Sequence, residues 1–563
     1  MSPKEHQQDH PDSAQHHPVD SRLAEAAERQ RRRTGLQKTR RRYQLFQAAI
    51  VGGASGLVAV AFARMLYLVE VLRFDILLFS KMTSPWAIFV LPVAGFFLGS
   101  FAGWLLTRFA PEATGSGIPH VKAVLLHLRP MRWLRVIFVK FFGGVAGIGG
   151  GLSLGREGPT VQMGAAVGMA VANLFKIPAR ARDHLIACGA GSGLAAAFNA
   201  PLAGFIFVIE ELQRELSPLT YGSAFVSAVT SVTVMRTLTG QLPAFQIRGY
   251  ETPPLEALPL FVILGVLAGL TGVVFNKSII WSLDVSQNRI KAPVWLKTGL
   301  VCASAGFLAW WLPEAVGTGH HTAEAVLTGQ YAGAAMLGFV ALLFVAKFLM
   351  TVISYATGAP GGIFAPLLVL GALLGLMVGE ISRILLPGIA HTPAAFSVMG
   401  MAAFFSAVVR APLTGVVLIL EMTANQEQLF PLLVACLMAY LVASATGNKP
   451  IYESLLDRDL RRSGIRDPQE LEPVLADYVV EPGSSMDGKQ LKDLNLPEGC
   501  LLVTVQRGGQ DTIPGGSTRL AAGDQITVIA ASPSPDVFMR LQQAARQPQP
   551  YEDIQGQDDS SRI

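Results

Sequence analysis

Three glycine- and proline-rich segments carry the residues best suited to handling an ion. They are Gly115-Ser116-Gly117-Ile118-Pro119, Gly155-Arg156-Glu157-Gly158-Pro159 and Gly362-Ile363-Phe364-Ala365-Pro366. Each stands at the start or break of an apolar segment, where proline favours the first helical turn. A helix N-terminus exposes unpaired N–H groups and the positive end of the dipole, which together suit an anion. Three such N-termini converging would hold an anion without a full buried positive charge, and a full charge could bind it too tightly for release. Ser116 would add a hydroxyl donor; taken singly, each segment also reads as a turn with packing glycines. Glu157 is a carboxylate in the middle of an apolar region, costly enough that function is its default explanation. Ionised, it could occupy the anion site itself, and protonation would release it. The plainer alternative is an ion pair with Arg156.

Other chemistry finds little support. There is no GxxxxGK[ST], no GxGxxG after a strand and no HExxH. Gly151-Leu152-Ser153-Leu154-Gly155 fits the GxSxG nucleophile elbow, but that motif needs a preceding strand with His and Asp partners. Here Gly143, Gly147, Gly151 and Gly155 recur every fourth residue, a spacing that lets helices pack closely. An intramembrane hydrolase using Ser153 and His184 is therefore a remote alternative, and no enzyme activity is expected. The pair His320-His321 reads as part of a loop, without the further ligands a metal site needs. Cys188, Cys302, Cys436 and Cys500 are too scattered for a disulfide framework or a CxxC site. No metal and no cofactor is expected.

The elements that must position these residues belong to a membrane. The 563 residues are 51% hydrophobic and only 15% charged, against about 25% charged in soluble domains. Residues 1–42 carry ten Lys/Arg, bunched just before the apolar run that starts at Tyr43. That placement puts the N-terminus in the cytoplasm by the positive-inside rule; a basic tail gripping nucleic acid is the disfavoured alternative. Stretches long enough to enter a bilayer are Gln44–Leu68, Trp86–Phe109, Leu258–Phe275, Leu296–Leu312, Met336–Ala356 and Phe430–Ala445. Phe141–Gly204 and Gly358–Gly379 are interrupted by Gly and Pro. They read as short, tilted or re-entrant helices whose backbone is buried in protein or lines a polar cavity.

An internal repeat organises this region. Asn199-Ala200-Pro201-Leu202-Ala203-Gly204, running to Glu210, matches Arg410-Ala411-Pro412-Leu413-Thr414-Gly415, running to Glu421, at an offset of 211. Gly189 matches Gly400 at the same offset, while the GREGP and GIFAP segments, with Gly164 and Gly371, align at an offset of 207. Many secondary transporters are built from two such halves, with the substrate site where broken helices of both halves meet. After Tyr452 the character changes: from Ile451 on, acids outnumber bases 18 to 11. Tyr478–Val480, Cys500–Gln506 and Gln525–Ala530 are strand-like. The expected layout is a basic, mostly disordered tail (1–42), a membrane domain (43–455) with halves at 43–236 and 258–450, a linker (456–469), a small cytosolic α+β domain (470–545) and a disordered end (546–563).

Taken together, GSGIP, GREGPTVQMG, the NAPLAGFIFVIEE run and GGIFAP, in that order, closely resemble the CLC family of chloride channels and chloride/proton exchangers. The resemblance spans roughly Tyr43–Tyr452. It implies an all-α polytopic membrane protein, a CLC-type inverted repeat of broken and tilted helices, forming a homodimer with one anion path per subunit in the cell membrane and both termini cytoplasmic. It also implies the roles of single residues. Ser116 matches the central anion-coordinating serine, Glu157 the external gating glutamate, and the N–H groups of Ile363 and Phe364 a second pair of anion donors. Tyr452 matches the tyrosine whose hydroxyl closes the inner side.

Exchangers of the family typically carry an inner glutamate that passes protons, where channels have an apolar residue. The family register selects Glu211 for that role; spacing alone does not separate it from Glu210. Glu157 and Glu211 together imply exchange of chloride for protons, with a passive voltage- or pH-gated chloride channel of the same fold as the alternative. Serine in GSGIP and glutamate in GREGP disfavour the fluoride-selective branch. Tyr478–Ala530 is similar to the C-terminal half of RCK domains (TrkA-C) without the dinucleotide-binding half. That implies either a dimer-stabilising cap or a sensor for an unidentified small-molecule ligand.

Overall fold

In this computed structural model the structure describes residues 18–178, 182–213, 218–242, 244–245, 254–387, 393–463, 474–494, 496–497, 499–507, 510–530, 540–541 and 543–545, with side chains of the first helix from Arg42 onward. Two compact units divide the chain, Met1–Leu456 and Asp457–Ile563.

The first unit is built from helices joined by loops. Its first half holds α1 (Pro18–Thr83), α2 (Val90–Phe109), α3 (Ile118–Leu125) and α4 (Trp133–Gly149), then α5 (Glu157–Leu174), α6 (Asp183–Phe198), α7 (Pro201–Phe207) and α8 (Pro218–Thr239). The second half holds α9 (Leu258–Asn288), α10 (Val294–Trp311), α11 (His320–Leu327) and α12 (Leu337–Ala356), then α13 (Phe364–Leu385), α14 (Pro393–Val409), α15 (Pro412–Thr423) and α16 (Leu429–Ala445). Helix α17 (Ile451–Arg462) closes the unit and carries the chain into the next. Among the described residues, seven helices are long and apolar enough to cross a membrane. Large apolar side chains such as Phe97, Trp281 and Trp311 stay exposed on these helices, as a lipid-facing surface requires.

Glycine lets the helices of each half touch backbone to backbone. A methyl group on Gly164 of α5 would run into the carbonyl of Gly189 on α6, and the reverse holds as well. Gly371 on α13 and Gly400 on α14 meet in the same way in the second half. The repeat aligns Gly164 with Gly371 and Gly189 with Gly400, so the same contact is made within each half and the repeat is also a repeat of packing. Small residues at such crossings allow the close approach on which membrane helix packing depends.

Several elements differ from the sequence expectation. Phe141–Gly204 is broken as anticipated, but the break in Gly358–Gly379 ends at Ile363, and Phe364–Leu385 is one continuous, mostly buried span. Buried leucines there pack on all sides, so its glycines serve helix contacts and not kinks. The tail read as mostly disordered to residue 42 is helical in backbone from Pro18. It is rich in Arg, Gln, Glu and Ala, good helix formers, and it continues a span that has already nucleated a helix. The first residues, 1–17, and the terminal stretch 546–563 lie outside the described residues, as do residues 464–469 of the expected linker. The pair His320-His321 opens α11 and is not in a loop.

The second unit contains a four-stranded antiparallel sheet, order β1-β4-β2-β3, from β1 (Val474–Val479), β2 (Cys500–Arg507), β3 (Gln510–Thr512) and β4 (Gln525–Ala530). Tyr478 pairs with Ile526 and Leu502 with Val528. One face buries Leu502, Val505, Ile526 and Val528 with Val480, Met486, Leu520 and Leu541. Strand β1 starts upstream of the expected Tyr478, and the short edge strand β3, fully exposed, has no apolar alternation to announce it.

Candidate functional site

The three glycine-rich segments meet. Gly155 and Gly362 exchange backbone hydrogen bonds, N–H to O at 2.6 and 2.7 Å. Gly115 receives the Gly361 N–H at 3.1 Å and donates to the Gly358 carbonyl at 3.2 Å. A Cβ on Gly158 would lie 2.6 Å from Ser116 Oγ and 3.0 Å from the Gly362 Cα, so all three segments converge within one side chain's reach. Positive φ at Gly115 (59°) and Gly117 (85°) turns the chain sharply on either side of Ser116, a conformation glycine adopts at little cost. Lys140, fully buried on α4, donates to the Gly115 carbonyl at 2.5 Å and braces that turn.

Ser116 is buried, and its Oγ has no hydrogen-bond partner among the described residues. The same holds for the hydroxyl of Tyr452. Tyr452, on α17, stacks on Phe364 with ring centroids 6.0 Å apart and planes 22° apart. Ile363 and Phe364, both fully buried, head α13, so their N–H groups are among those a helix leaves unpaired at its start. Two orphaned hydroxyls and a helix N-terminus make a donor set that fits a small anion.

Glu157 places a carboxylate on that same helix head. It retains 3% exposure, and its Oε2 accepts the Ala365 N–H at 3.3 Å. Arg156 stands 3.9 Å from the other oxygen, so the Arg156 reading holds at long range beside the helix contact. A cavity of about 330 Å³ lies against Glu157, lined also by Glu70, Arg156, Thr318, His320 and His321. His320 stacks on Phe245 at 5.0 Å, and among the described residues no group of three or more His, Cys, Asp or Glu is arranged to hold a metal.

The two adjacent glutamates face different partners. Both sit in a π-helical turn, Val208–Gln213, that follows α7. Glu210 caps α15, accepting the N–H groups of Leu413 at 3.1 Å and Thr414 at 2.7 Å. Glu211 is buried and receives Lys122 Nζ at 2.8 Å. The structure thus gives the two neighbours different contacts. Glu421 repeats the role of Glu210 in the other half, accepting the N–H groups of Leu202 at 3.1 Å and Ala203 at 2.8 Å at the head of α7.

Ser153 follows a helix and not a strand, and its hydroxyl pairs with that of Thr351 at 2.9 Å while its N–H donates to Ser354. The nucleophile elbow is absent, and the glycine spacing there serves packing. All four cysteines are free.

Sequence reasoning missed Lys122 and Lys140, and with them a second stretch of the repeat. Pro111-Glu112-Ala113-Thr114-Gly115-Ser116-Gly117 matches Pro313-Glu314-Ala315-Val316-Gly317-Thr318-Gly319 at an offset of 202. Lys347, equally buried, donates to the Gly317 carbonyl at 2.9 Å as Lys140 does to that of Gly115. In the second loop Thr318 gives its N–H and hydroxyl to Glu70, at 3.2 and 2.9 Å. The PEA-x-G-[ST]-G match and the lone lysines in apolar helices were the available signals.

Known proteins resemble this chain over most of its length. Residues 98–444 match the family described as voltage gated chloride channel, and residues 475–541 match the TrkA-C domain. The chain is 42% identical over 431 residues to the H(+)/Cl(-) exchange transporter ClcA of Vibrio vulnificus, covering 75% of this chain and 91% of the relative. It is 40% identical over 438 residues to the transporter of the same name from Vibrio cholerae, covering 76% and 92%. Among solved structures, a slow cyanobacterial Cl-/H+ antiporter aligns with a TM-score of 0.71 and 33% identity, over 75% of this chain and 99% of that one. A CLC-type fluoride/proton antiporter aligns with a TM-score of 0.61 at 21% identity, over 73% and 96%, and so shares the fold. The repeat, the converging glycine loops and these matches make the chain a member of the voltage gated chloride channel family, a multi-pass membrane transporter with a TrkA-C domain at its C-terminal end.

Proposed function

We propose that the protein exchanges chloride for protons across the membrane. The observation that carries the reading is the position of Glu157: an ionisable carboxylate rests on the helix head that would otherwise serve an anion. Chloride would bind between Ser116 Oγ, Tyr452 OH and the N–H groups of Ile363 and Phe364. Glu157 competes for that site when ionised and leaves it when protonated, so one carboxylate links the two fluxes. Glu211, with Lys122 beside it, is the inner relay through which protons reach Glu157. No cofactor enters the cycle.

The relatives' names, H(+)/Cl(-) exchange transporter and Cl-/H+ antiporter, support exchange over passive conduction. We read the functional unit as a homodimer in which each subunit has its own path, with the two halves in inverted orientation and both termini on the cytoplasmic side. The TrkA-C-like unit is read as a sensor for a cytosolic small molecule. Purified protein in liposomes tests the central claim: an outward chloride gradient should drive protons inward against no gradient of their own. Chloride efflux without proton uptake would identify a channel of the same fold instead.

A further inference from the structure

The ion pair of Lys122 and Glu211 spans 2.8 Å, and its side chains keep only 8% and 2% of their exposure. A carboxylate buried without a countercharge stays protonated, because burial disfavours its charged form. One that never releases its proton relays none. Lys122 belongs to α3, the short helix that leaves the loop carrying Ser116. At ~1.5 Å of rise per residue, the lysine lies roughly 6 Å along the axis from Ile118, the first residue of that helix. Glu211 lies in a π-helical turn, a backbone form frequent at functional sites.

We propose that Lys122 is a positioning residue for proton transfer: it keeps Glu211 in a charged, proton-accepting state and fixes the direction its carboxylate faces. The proposal rests on the exchange reading above. In the step, a proton from the adjoining aqueous side binds a Glu211 carboxylate oxygen. The Lys122 ammonium keeps its own protons and loses its ionic partner. When Glu211 hands the proton on toward Glu157, its negative charge returns and the pair re-forms. One proton enters and one leaves, and nothing is oxidised or reduced. Because α3 starts two residues after Ser116, the residue that holds the proton carrier lies on the helix that leaves the loop carrying that serine.

Paired chloride and proton fluxes on wild type, Lys122→Met and Lys122→Arg in liposomes test this. Chloride flux serves as the check that each variant is folded, and the number of protons moved per chloride is the readout. Loss of a charge-assisted hydrogen bond predicts roughly tenfold fewer protons per chloride in Lys122→Met with chloride flux kept. Lys122→Arg, which restores the charge and the donor, should return the ratio to within about twofold of wild type. If Lys122→Met carries no chloride, Lys122→Gln, which keeps a donor but no charge, replaces it. A wild-type ratio in the uncharged variant overturns the proposal alone. A wild type that moves chloride but no protons overturns the exchange reading and the proposal with it.

Discussion

Glu157 accepts the Ala365 N–H at the head of α13, so on the proposed cycle its charged form and a bound anion would be rivals for the same helix dipole. Removing the carboxylate should leave the anion path open and uncoupled. Glu157→Ala is expected to carry chloride without proton movement and to lose the pH dependence of chloride flux, measured by paired fluxes across a range of pH. Glu211→Ala should keep chloride flux and lose proton movement, because the Glu211 carboxylate receives Lys122 on α3 and is not among the groups proposed to hold the anion. Proton transport surviving both substitutions would end the roles given to these two residues. Ser116, Glu157 and the segment Gly362 to Pro366 were legible in the sequence because each stands in a short motif whose glycines and proline announce a helix start; Ile363 and Phe364 as the particular donors came from the family resemblance. Tyr452 and Glu211 came from family register. The Lys122–Glu211 pair was not legible: 89 residues separate its members, and only the fold decides which side chains meet across such a distance.

At the scale of elements, the two halves hold each other through reciprocal caps. Glu210 closes the N-terminus of α15 and Glu421 that of α7, each carboxylate satisfying two of the N–H groups a helix leaves open. Replacing either by Ala should destabilise the protein by about 1 kcal/mol, the usual worth of an N-terminal cap, read as a lower melting temperature in detergent. Neither change should alter the ratio of protons to chloride, since neither residue faces the anion loop. A changed ratio with unchanged stability would mean that Glu210, and not Glu211, is the inner relay. The APLxG repeat and the paired glycines were readable because close packing tolerates almost no substitution at Gly164, Gly189, Gly371 and Gly400. The longer match of PEATGSG with PEAVGTG joins two loops that hold different partners. Its second copy holds Glu70 against Thr318, so the hydroxyl there is already partnered whereas that of Ser116 is not.

At the scale of the whole molecule, every residue assigned to the exchange cycle lies within Met1–Leu456, and the sheet unit has its own apolar core. Its buried acid, Asp524, is held by Arg507 through N–H donors at 2.7 and 2.6 Å, and that bond keeps its carboxyl below the usual aspartate range. A carboxyl lowered in the folded state stabilises the fold above its unfolded value, about 3.9, and loses that effect as the pH falls toward the folded value. The sheet unit should therefore lose stability below about pH 4, and Arg507→Ala should lower its melting temperature at pH 7 far more than at pH 3. An equal effect at both would show that Arg507 acts by packing and not by charge. Separate cores also predict what truncation does. A chain ended after residue 463 keeps α17 through Arg462, and with it Tyr452 stacked on Phe364. Such a chain should still exchange chloride for protons in liposomes at the full-length ratio. Its absolute rate, and any response to a small molecule, are where the sheet unit would show itself. Loss of coupling in the truncated chain, with chloride flux intact, would place part of the proton path in the second unit and overturn the division of labour argued here.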